Sequence, residues 1–158
     1  MSAINSLAAA LGRIPSGLFI LTVRHGAKET AMLASWVQQC SFDPPRVTVA
    51  IKKGRDLLRW LTDDAAFVLN VLPEGAKSLI GHFGKGFELG EEAFNGIKLA
   101  KERESAPVLA AAHAYLGCRV VKHIDAGDHV LLVAGVEAGA VLNDGKPTVH
   151  LRKNGLTY

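Results

Sequence analysis

Short apolar runs separated by turn residues recur along most of this chain and constrain its fold more than any other feature. LFILTV at 18–23, RVTVAIKK at 46–53 and AFVLNVL at 66–72 are rich in β-branched and aromatic residues, as strands are. Two longer runs, at 114–124 and 129–142, are joined by the turn DAGD. Many strands with short turns and few helices are typical of an antiparallel barrel or sandwich. The sequence therefore predicts a mainly β fold.

Helical periodicity is confined to a few segments. Leu7, Leu11 and Ile14 recur at helical spacing before Pro15 and predict a short opening helix. DLLRWLTDD and EGAKSLIGHFG are the other helical candidates. The glycine-rich and charged stretch at 84–104 is predicted to be a long loop, and loops of that length in compact domains are often functional.

A hairpin is predicted near the start of the chain. The polar HGAKE after the first apolar run indicates a turn to a second strand that begins near Thr30. This second strand carries the motif MLASWVQQCSFDPP and is expected to end at Pro44 and Pro45, which cannot donate ladder hydrogen bonds. RVTVAIKK then forms the third strand.

Length and composition predict one folded domain over residues 1–158. The chain is 49% apolar and 21% charged, close to the globular average, so neither disorder nor a fibrous repeat is indicated. No uncharged apolar run reaches the roughly 18 residues that a membrane helix needs, which predicts no membrane partner and, by default, a cytoplasmic location. Cys40 and Cys118 lack CxxC spacing, so a disulfide framework or a thiolate metal site is not expected.

The charge pattern argues against nucleic-acid binding. The net charge is only +3, the basic residues are scattered, and aromatic residues make up 6% of the chain. Nucleic-acid binders concentrate positive charge into a dense stripe with interleaved aromatic residues. A small anionic ligand fits this distribution better than a polynucleotide.

Common catalytic and cofactor motifs are absent from the sequence. It contains no GxGxxG after a strand, no GxxxxGK[ST] and no GxSxG. Its six histidines include no HxH or HExxH pair, so no metal site is predicted. GHFGKG at 81–86 is rich in glycine, but its order fits neither nucleotide motif, and we interpret it as a loop.

The motif MLASWVQQCSFDPP is the least ordinary part of the chain. On an extended strand, Ser35 and Ser41 face one side while Trp36 and Cys40 face the other, so neither face is purely apolar. Such a strand offers backbone N–H groups and short hydroxyls to a flat ring with polar edges. The composition alone leaves open that Trp36 and Cys40 are ordinary core residues.

A family resemblance covers nearly the whole chain. GRIPSGLFILTV, AMLASWVQQCSFDPPRVTVAIKKGR, FVLNVL, AYLGCRVV, GDHVLLVAGVEAG and HLRKNGLTY occur in the order found in flavin reductases with an FMN-binding split barrel. More narrowly, they resemble the flavin reductase module at the C-terminus of cyanobacterial flavodiiron proteins. The resemblance implies a six-stranded antiparallel Greek-key split β-barrel with a few flanking helices, which pairs into a homodimer.

The resemblance also implies cofactors and a reaction. FMN, with FAD as the alternative, would be held near the subunit interface, and NADH or NADPH would donate electrons. The implied reaction is hydride transfer from C4 of the nicotinamide to flavin N5, with electrons passed to a small-molecule acceptor or a redox partner protein. Two alternatives stay open: an FMN-carrying electron-transfer module without a nicotinamide reaction, and a dimeric structural or haem-binding split barrel.

The resemblance assigns most site residues to the predicted second strand and to the turn that follows the predicted third strand. The segment along the flavin ring contributes Leu33, Ala34, Ser35, Trp36, Val37, Cys40 and Ser41. Lys52, Lys53 and Arg55 would bind the flavin phosphate, because a dianion needs charge-assisted donors. The chain departs from the family pattern at Leu57 and Leu33, where relatives commonly carry Thr.

The remaining implied site residues lie later in the chain. Asp128 and His129 match a Gly-Asp-His element, and His129 would position the nicotinamide carboxamide or stabilise charge on the reduced ring. Phe83, Lys85 and Phe87 fall where relatives place a mobile segment over the flavin.

Overall fold

Strands dominate the computed structural model, which describes residues 2–101 and 104–158. Within those residues the elements are, in chain order, α1 (Ala3–Leu11), β1 (Phe19–His25), β2 (Lys28–Ala34), β3 (Val37–Phe42), β4 (Pro45–Lys52), a 3-10 helix (Asp56–Arg59), β5 (Ala66–Val71), α2 (Lys77–Gly84), β6 (Ala114–Asp125) and β7 (His129–Val141). The predicted mainly β class is confirmed, as are the opening helix and the β1–β2 hairpin.

All seven described strands belong to one antiparallel sheet in the order β2-β1-β5-β6-β7-β4-β3. The two edge strands, β2 and β3, are consecutive in the chain and are linked only by Ser35 and Trp36. Three Cα steps reach about 11 Å, whereas a flat sheet of this width would separate its edges by roughly 29 Å. The sheet must therefore curl until its edges meet, which makes it a split barrel with the split at Ser35 and Trp36.

The predicted count of six strands was wrong by one because a predicted single strand is divided. β2 pairs with β1 in register from Phe19 opposite Ala34, while β3 pairs with β4 from Val37 opposite Val49. The chain thus leaves one ladder and joins another at Ser35 and Trp36, where the Trp36 carbonyl accepts a hydrogen bond from the Ala50 N–H. Alternation along a sequence reports which face a residue takes, and it does not report a change of partner strand.

The helix predicted over DLLRWLTDD is only one 3-10 turn. Its apolar side chains are nevertheless directed inward, since Leu57 and Leu61 are buried in the barrel core. The predicted loop after α2 is observed over the described residues beyond Gly84. Asn70, buried on β5, fixes this loop by accepting a hydrogen bond from the Leu109 N–H and donating to the Ile20 carbonyl.

The barrel interior is apolar and fully enclosed. Leu21, Val49, Phe67 and Leu132 have no exposed surface and form its centre. A second apolar cluster, which includes Leu72 and Phe83, holds α2 against the outside of β1 and β2. No helix among the described residues is long and apolar enough to cross a membrane.

Candidate functional site

The split in the barrel opens into a cleft. Its volume is about 510 Å³, and its walls combine the β2–β3 link with a segment that follows β7. One wall consists of residues 33–36, Ala50, Arg55 and part of α2. The other wall consists of residues 150–154, 157 and 158. We call residues 150–158 the covering segment. The cleft thus brings together residues that are more than a hundred positions apart in the chain.

Backbone hydrogen bonds fix the covering segment against α1 and the turn after it. The N–H of Gly155 donates to the Ala8 carbonyl over 2.8 Å, and the N–H of His150 donates to the Ser16 carbonyl over 2.7 Å. The two backbones approach closely at a pair of glycines: a Cβ on Gly155 would lie 2.7 Å from the N atom of Gly12. A side chain at Gly155 would therefore push the segment away from α1.

Arg152 connects the covering segment to the barrel split. Its guanidinium carbon lies 4.7 Å from the centroid of the Trp36 ring, and its Nη2 donates a hydrogen bond of 3.2 Å to Ser35 Oγ. An arginine at this distance over a Trp face is held by the ring quadrupole as well as by dispersion. Trp36 and Ser35 thereby acquire a fixed cationic neighbour at the cleft wall.

His129 lies behind this wall at the first position of β7 and is only 6% exposed. Its Nδ1 is 2.6 Å from Asp128 Oδ1, and its Nε2 is 2.6 Å from the Tyr158 hydroxyl. The hydrogen bond with His129 lowers the pKa of the Asp128 carboxyl, and the Lys52 ammonium acts in the same direction. The His129 ring also packs on Trp36, with centroids 4.6 Å apart.

The cations predicted to bind a phosphate separate into two groups. Arg55 lines the cleft, and the Lys52 ammonium lies 5.7 Å from the Tyr158 ring centroid. Neither forms an ion pair with any carboxylate of the described residues. Lys53 instead pairs with Asp125 over 2.9 Å on the β6–β7 hairpin. The cleft wall therefore carries the positive charge of Arg55 without an ion-pair partner among the described residues, with Lys52 near Tyr158 and Asp128, whereas the charge of Lys53 is already paired.

Other predicted ring contacts are distributed unevenly. Leu33, Ala34, Ser35 and Trp36 all line the cleft, while Val37 lines an adjoining cavity. Cys40 and Ser41 lie further along the edge strand β3, where Cys40 is exposed, and they line neither cavity.

The side chains predicted on and after α2 also fall outside the cleft. Phe83 is 1% exposed and packs in the second apolar cluster. Its neighbour Gly84 lines the cleft instead and faces Leu33. Phe87 packs against the same cluster, and the Lys85 ammonium lies 5.6 Å from the Phe87 ring centroid.

Sequence reasoning missed Arg152 and Tyr158 as site residues. HLRKNGLTY carries them in a stretch without helical or strand periodicity, so no pattern placed it against the barrel. Its dense polar and aromatic content was the available signal. The described residues contain no cluster of three or more His, Cys, Asp and Glu side chains placed to hold a metal ion.

The comparison with known families identifies the family of this chain. The flavin reductase like domain matches residues 11–156. This chain belongs to that family. It is accordingly an oxidoreductase domain of the flavin reductase type, and the resemblance inferred from its sequence is confirmed.

Among the most similar relatives of this chain are diflavin flavoproteins. The chain is 40% identical over 156 residues to diflavin flavoprotein A 1 of Synechocystis sp., covering 98% of the chain and 27% of that protein. It thus spans about a quarter of the length of the curated relatives it matches. These relatives are larger flavoproteins in which the matching region is one part.

Solved structures of flavin reductases share the fold. The NADH:FAD oxidoreductase SgcE6 of Streptomyces globisporus superposes with a TM-score of 0.83 at 24% identity, covering 90% of this chain and 85% of that one. The flavin reductase HpaC, solved with NADP+, has a TM-score of 0.73 at 25% identity, with 91% and 90% covered. The split β-barrel is therefore the architecture of this chain.

A second, more apolar cavity adjoins the cleft of this flavin reductase domain. Its volume is about 880 Å³, and it shares Ser35, Trp36 and Arg152 with the cleft. Its other walls come mainly from the end of α1 and the turn after it, from residues 147–149, and from single positions on the strands, among them Phe19, Val37 and Leu131. Ile14 and Val149 at its rim expose 68% and 72% of their surface, so a wide apolar face surrounds this side of the split.

Proposed function

We propose that this domain is an NAD(P)H-dependent flavin reductase that binds FMN in the cleft at the barrel split. The supporting observation is that the Arg152 guanidinium over the Trp36 ring, the Ser35 hydroxyl and Arg55, which has no ion-pair partner among the described residues, meet in one cleft. Bound flavin supplies the redox chemistry, accepting a hydride at N5 from C4 of the nicotinamide and passing the electrons to an acceptor.

The residues of the cleft fit a flavin in size and chemistry. Its volume of about 510 Å³ lies within the roughly 300–1,000 Å³ usual for small-ligand sites. Flavin has a flat apolar ring system with polar edges, which matches the Trp36 face beside Ser35 and the backbone of Ala34. FMN is preferred to FAD in this proposal because the cations lie close to the ring-binding wall.

Arg55 and Lys52 are the proposed phosphate ligands. Both remain free of carboxylate partners in the described part of the chain, so a phosphate dianion would gain charge-assisted hydrogen bonds without breaking an ion pair. Lys53 stays a proposed contributor, although it must first release Asp125. Arg55 reaches toward the loop that follows α2, since a Cβ on Gly86 would lie 3.6 Å from its Nη1.

The protein groups act by binding and orientation in this proposal. The covering segment and the β2–β3 link bring two walls of the cleft together, which excludes water from the enclosed face. No side chain has to add or remove a proton for hydride transfer, so a pair of stacked rings at the proper distance is the main requirement. His129 and Asp128 contribute by fixing the wall on which the rings lie.

A second copy of the chain is the proposed occupant of the apolar face beside the cleft. Support comes from the exposed Ile14 and Val149 and from the adjoining apolar cavity that shares Trp36 with the cleft. Cys40 and Ser41, on edge strand β3, stay predicted flavin contacts at this proposed interface. We further propose a cytoplasmic setting, with a redox partner protein or a small molecule as acceptor.

Anaerobic reduction of the flavin-loaded protein tests the proposed function. The purified chain is reconstituted in parallel with FMN and FAD and freed of excess flavin, and NADH or NADPH is then added without oxygen. We expect loss of the absorbance near about 450 nm, a property of the cofactor itself, within the time of a catalytic turnover. Retention of FMN in preference to FAD would support the assignment of Arg55 and Lys52.

Two outcomes would contradict the proposal. A protein that retains flavin but keeps its colour with both nucleotides would be an electron-transfer module without a nicotinamide reaction. A protein that retains neither flavin would have no flavin site in this cleft. Free flavin mixed with each nucleotide under the same conditions gives the uncatalysed rate against which the reduction is judged.

A further inference from the structure

Both ring nitrogens of His129 already have partners. Nδ1 contacts the Asp128 carboxylate and Nε2 contacts the Tyr158 hydroxyl, each over 2.6 Å. An imidazole has only these two hydrogen-bonding atoms. A nicotinamide carboxamide therefore has no free nitrogen of His129 to bind while Tyr158 is in place.

Tyr158 is the member of this chain of contacts that meets the cleft. It lines the cleft and exposes 66% of its surface, whereas His129 is 6% exposed and is not part of the cleft wall. In the tautomer with its proton on Nδ1, His129 donates to the Asp128 carboxylate and accepts at Nε2 from the Tyr158 O–H. The phenol oxygen then keeps a lone pair that can accept from the amide N–H of a carboxamide.

The surroundings of Tyr158 suit a nicotinamide dinucleotide. Its ring centroid is 6.0 Å from that of Trp36, and cations approach it from two elements: the Lys52 ammonium at 5.7 Å and the Arg152 guanidinium at 5.8 Å. Arg55 lines the same cleft. The nicotinamide ring therefore meets an aromatic surface at Trp36 and Tyr158, and Arg152, which is not a proposed ligand of the FMN phosphate, supplies positive charge for the diphosphate.

We infer that Tyr158 contacts the nicotinamide carboxamide and that Asp128 and His129 are positioning residues that act through the Tyr158 hydroxyl. This inference rests on the proposed function. It changes the role of His129 from a direct ligand of the nucleotide to the group that sets the direction of the phenol O–H. Asp128 in turn fixes the tautomer of His129 by accepting from Nδ1.

A double-mutant cycle on the flavin-loaded full chain tests this order of action. The variants are Tyr158→Phe, His129→Gln and the double variant, and the readouts are the dissociation constants of NAD+ and NADP+ together with KM and kcat. A neutral hydrogen bond contributes about three- to tenfold in affinity. We expect Tyr158→Phe and His129→Gln each to raise KM and the dissociation constant by that factor, and the double variant to raise them no further.

His123→Gln is the matched control because His123 has the same arrangement elsewhere. Its Nδ1 contacts Asp63 over 2.8 Å and its Nε2 contacts the Leu61 carbonyl over 2.6 Å, away from the cleft residues. This variant should leave both nucleotide constants unchanged. The imidazole ¹⁵N shift of His129, but not of His123, should move in Tyr158→Phe, which shows the lost hydrogen bond independently of activity.

Three results would overturn the inference. A full His129→Gln effect that persists in the Tyr158→Phe background would show that His129 meets the nucleotide directly. Tighter nucleotide binding by Tyr158→Phe would show that Tyr158 competes with the nicotinamide for His129. Nucleotide affinity is measured without turnover. If the double variant behaves as expected but the bound flavin is not reduced by either nucleotide, only the proposed function is contradicted. If the flavin is reduced but the effects of Tyr158→Phe and His129→Gln simply add, only this inference is contradicted. If the protein binds neither NAD+ nor NADP+, both this inference and the proposed function are contradicted.

Discussion

The guanidinium of Arg152 lies 4.7 Å from the Trp36 ring centroid and ties the covering segment to the place where the barrel is split. Trp36 belongs to the two-residue link between the sheet edges, so it has no strand neighbour on one side. Arg152 supplies that neighbour and donates to Ser35 as well. The wall of the cleft therefore depends on a contact between residues 116 positions apart in the sequence.

Replacing Arg152 should weaken flavin binding more than it weakens the fold. Arg152→Ala removes the contact with Trp36, which is worth about 0.5–2 kcal/mol, and a hydrogen bond to Ser35, so we expect a roughly tenfold or greater rise in the flavin dissociation constant. Arg152→Lys keeps the charge but loses the guanidinium over the Trp36 ring. Its flavin dissociation constant should lie between those of the wild type and Arg152→Ala. Flavin fluorescence titration measures both, with Arg24→Ala on the distant β1–β2 hairpin as the control. Equal binding by Arg152→Ala and Arg24→Ala would contradict this role.

Charge reversal at Arg55 or Lys52 should reduce FMN retention more than charge reversal at Lys53, which is already paired with Asp125. Arg55→Glu and Lys52→Glu replace free cations, and each should cause FMN to be lost during gel filtration because the phosphate would face a carboxylate. Lys53→Glu should have a smaller effect, since Lys53 is already engaged with Asp125 at an exposed site. The retained absorbance per protein, measured at two salt concentrations, gives the order. Stronger flavin loss from Lys53→Glu than from Arg55→Glu would show that the phosphate lies on the β6–β7 hairpin side.

A methyl group at Gly155 should displace the covering segment. The added Cβ would collide with the Leu11 side chain and lie 2.7 Å from the Gly12 backbone N. We expect Gly155→Ala to lower the melting temperature by a few degrees, about 2–4 °C per kcal/mol for a domain of this size, and to weaken flavin binding. Gly90→Ala is the control, because a Cβ there meets no atom within 4 Å. Unchanged flavin affinity in Gly155→Ala would mean that the segment does not form the binding wall.

The two cysteines should react at very different rates in the native protein. Burial raises the pKa of the Cys118 thiol to about 12, and the Glu137 carboxylate acts in the same direction, whereas Cys40 is exposed. A disulfide reagent at pH 8 should therefore modify Cys118 only after unfolding, and it should modify Cys40 quickly in flavin-free protein that is diluted until the proposed dimer separates. Cys40→Ser should abolish the fast phase, and fast modification that survives in this variant would contradict the burial of Cys118.

The same shift fixes the sign of an alkaline effect on stability. Because the folded-state pKa of Cys118 is raised, the unfolded thiol ionises first, so stability is lost as pH rises above the ordinary value of 9.0 toward 12. Urea unfolding of the wild type and of Cys118→Ala between pH 7 and about pH 10 tests this sign. The wild type should lose more stability over that interval than the variant.

The fold was predictable because local patterns report strands and turns directly. Observed strands overlap the three predicted runs LFILTV, RVTVAIKK and AFVLNVL. The turn of the β1–β2 hairpin, at residues 25–28, lies in the polar segment that predicted it. The division of one predicted strand into β2 and β3 was not predictable in this way. It results from the partner that each half pairs with, which only the closed sheet determines.

The residues that the barrel contributes to the candidate site could be predicted from the sequence, but the residues of the covering segment could not. The resemblance selected Leu33 to Trp36 and Arg55, which the structure brings into one cleft. Arg152 and Tyr158 come from an irregular segment whose position follows from long-range backbone hydrogen bonds to Ala8 and Ser16. No periodic pattern encodes such contacts, and the contact of His129 with Tyr158 was missed for the same reason.

The most direct test is a crystal structure of the protein grown or soaked with FMN. The account predicts density for the isoalloxazine ring against residues 34–36 and Arg152, with the phosphate within hydrogen-bonding distance of Arg55 or Lys52. Density for the ring on any other face, or a cleft still closed by Trp36, Arg152 and Tyr158 at saturating FMN, would contradict it.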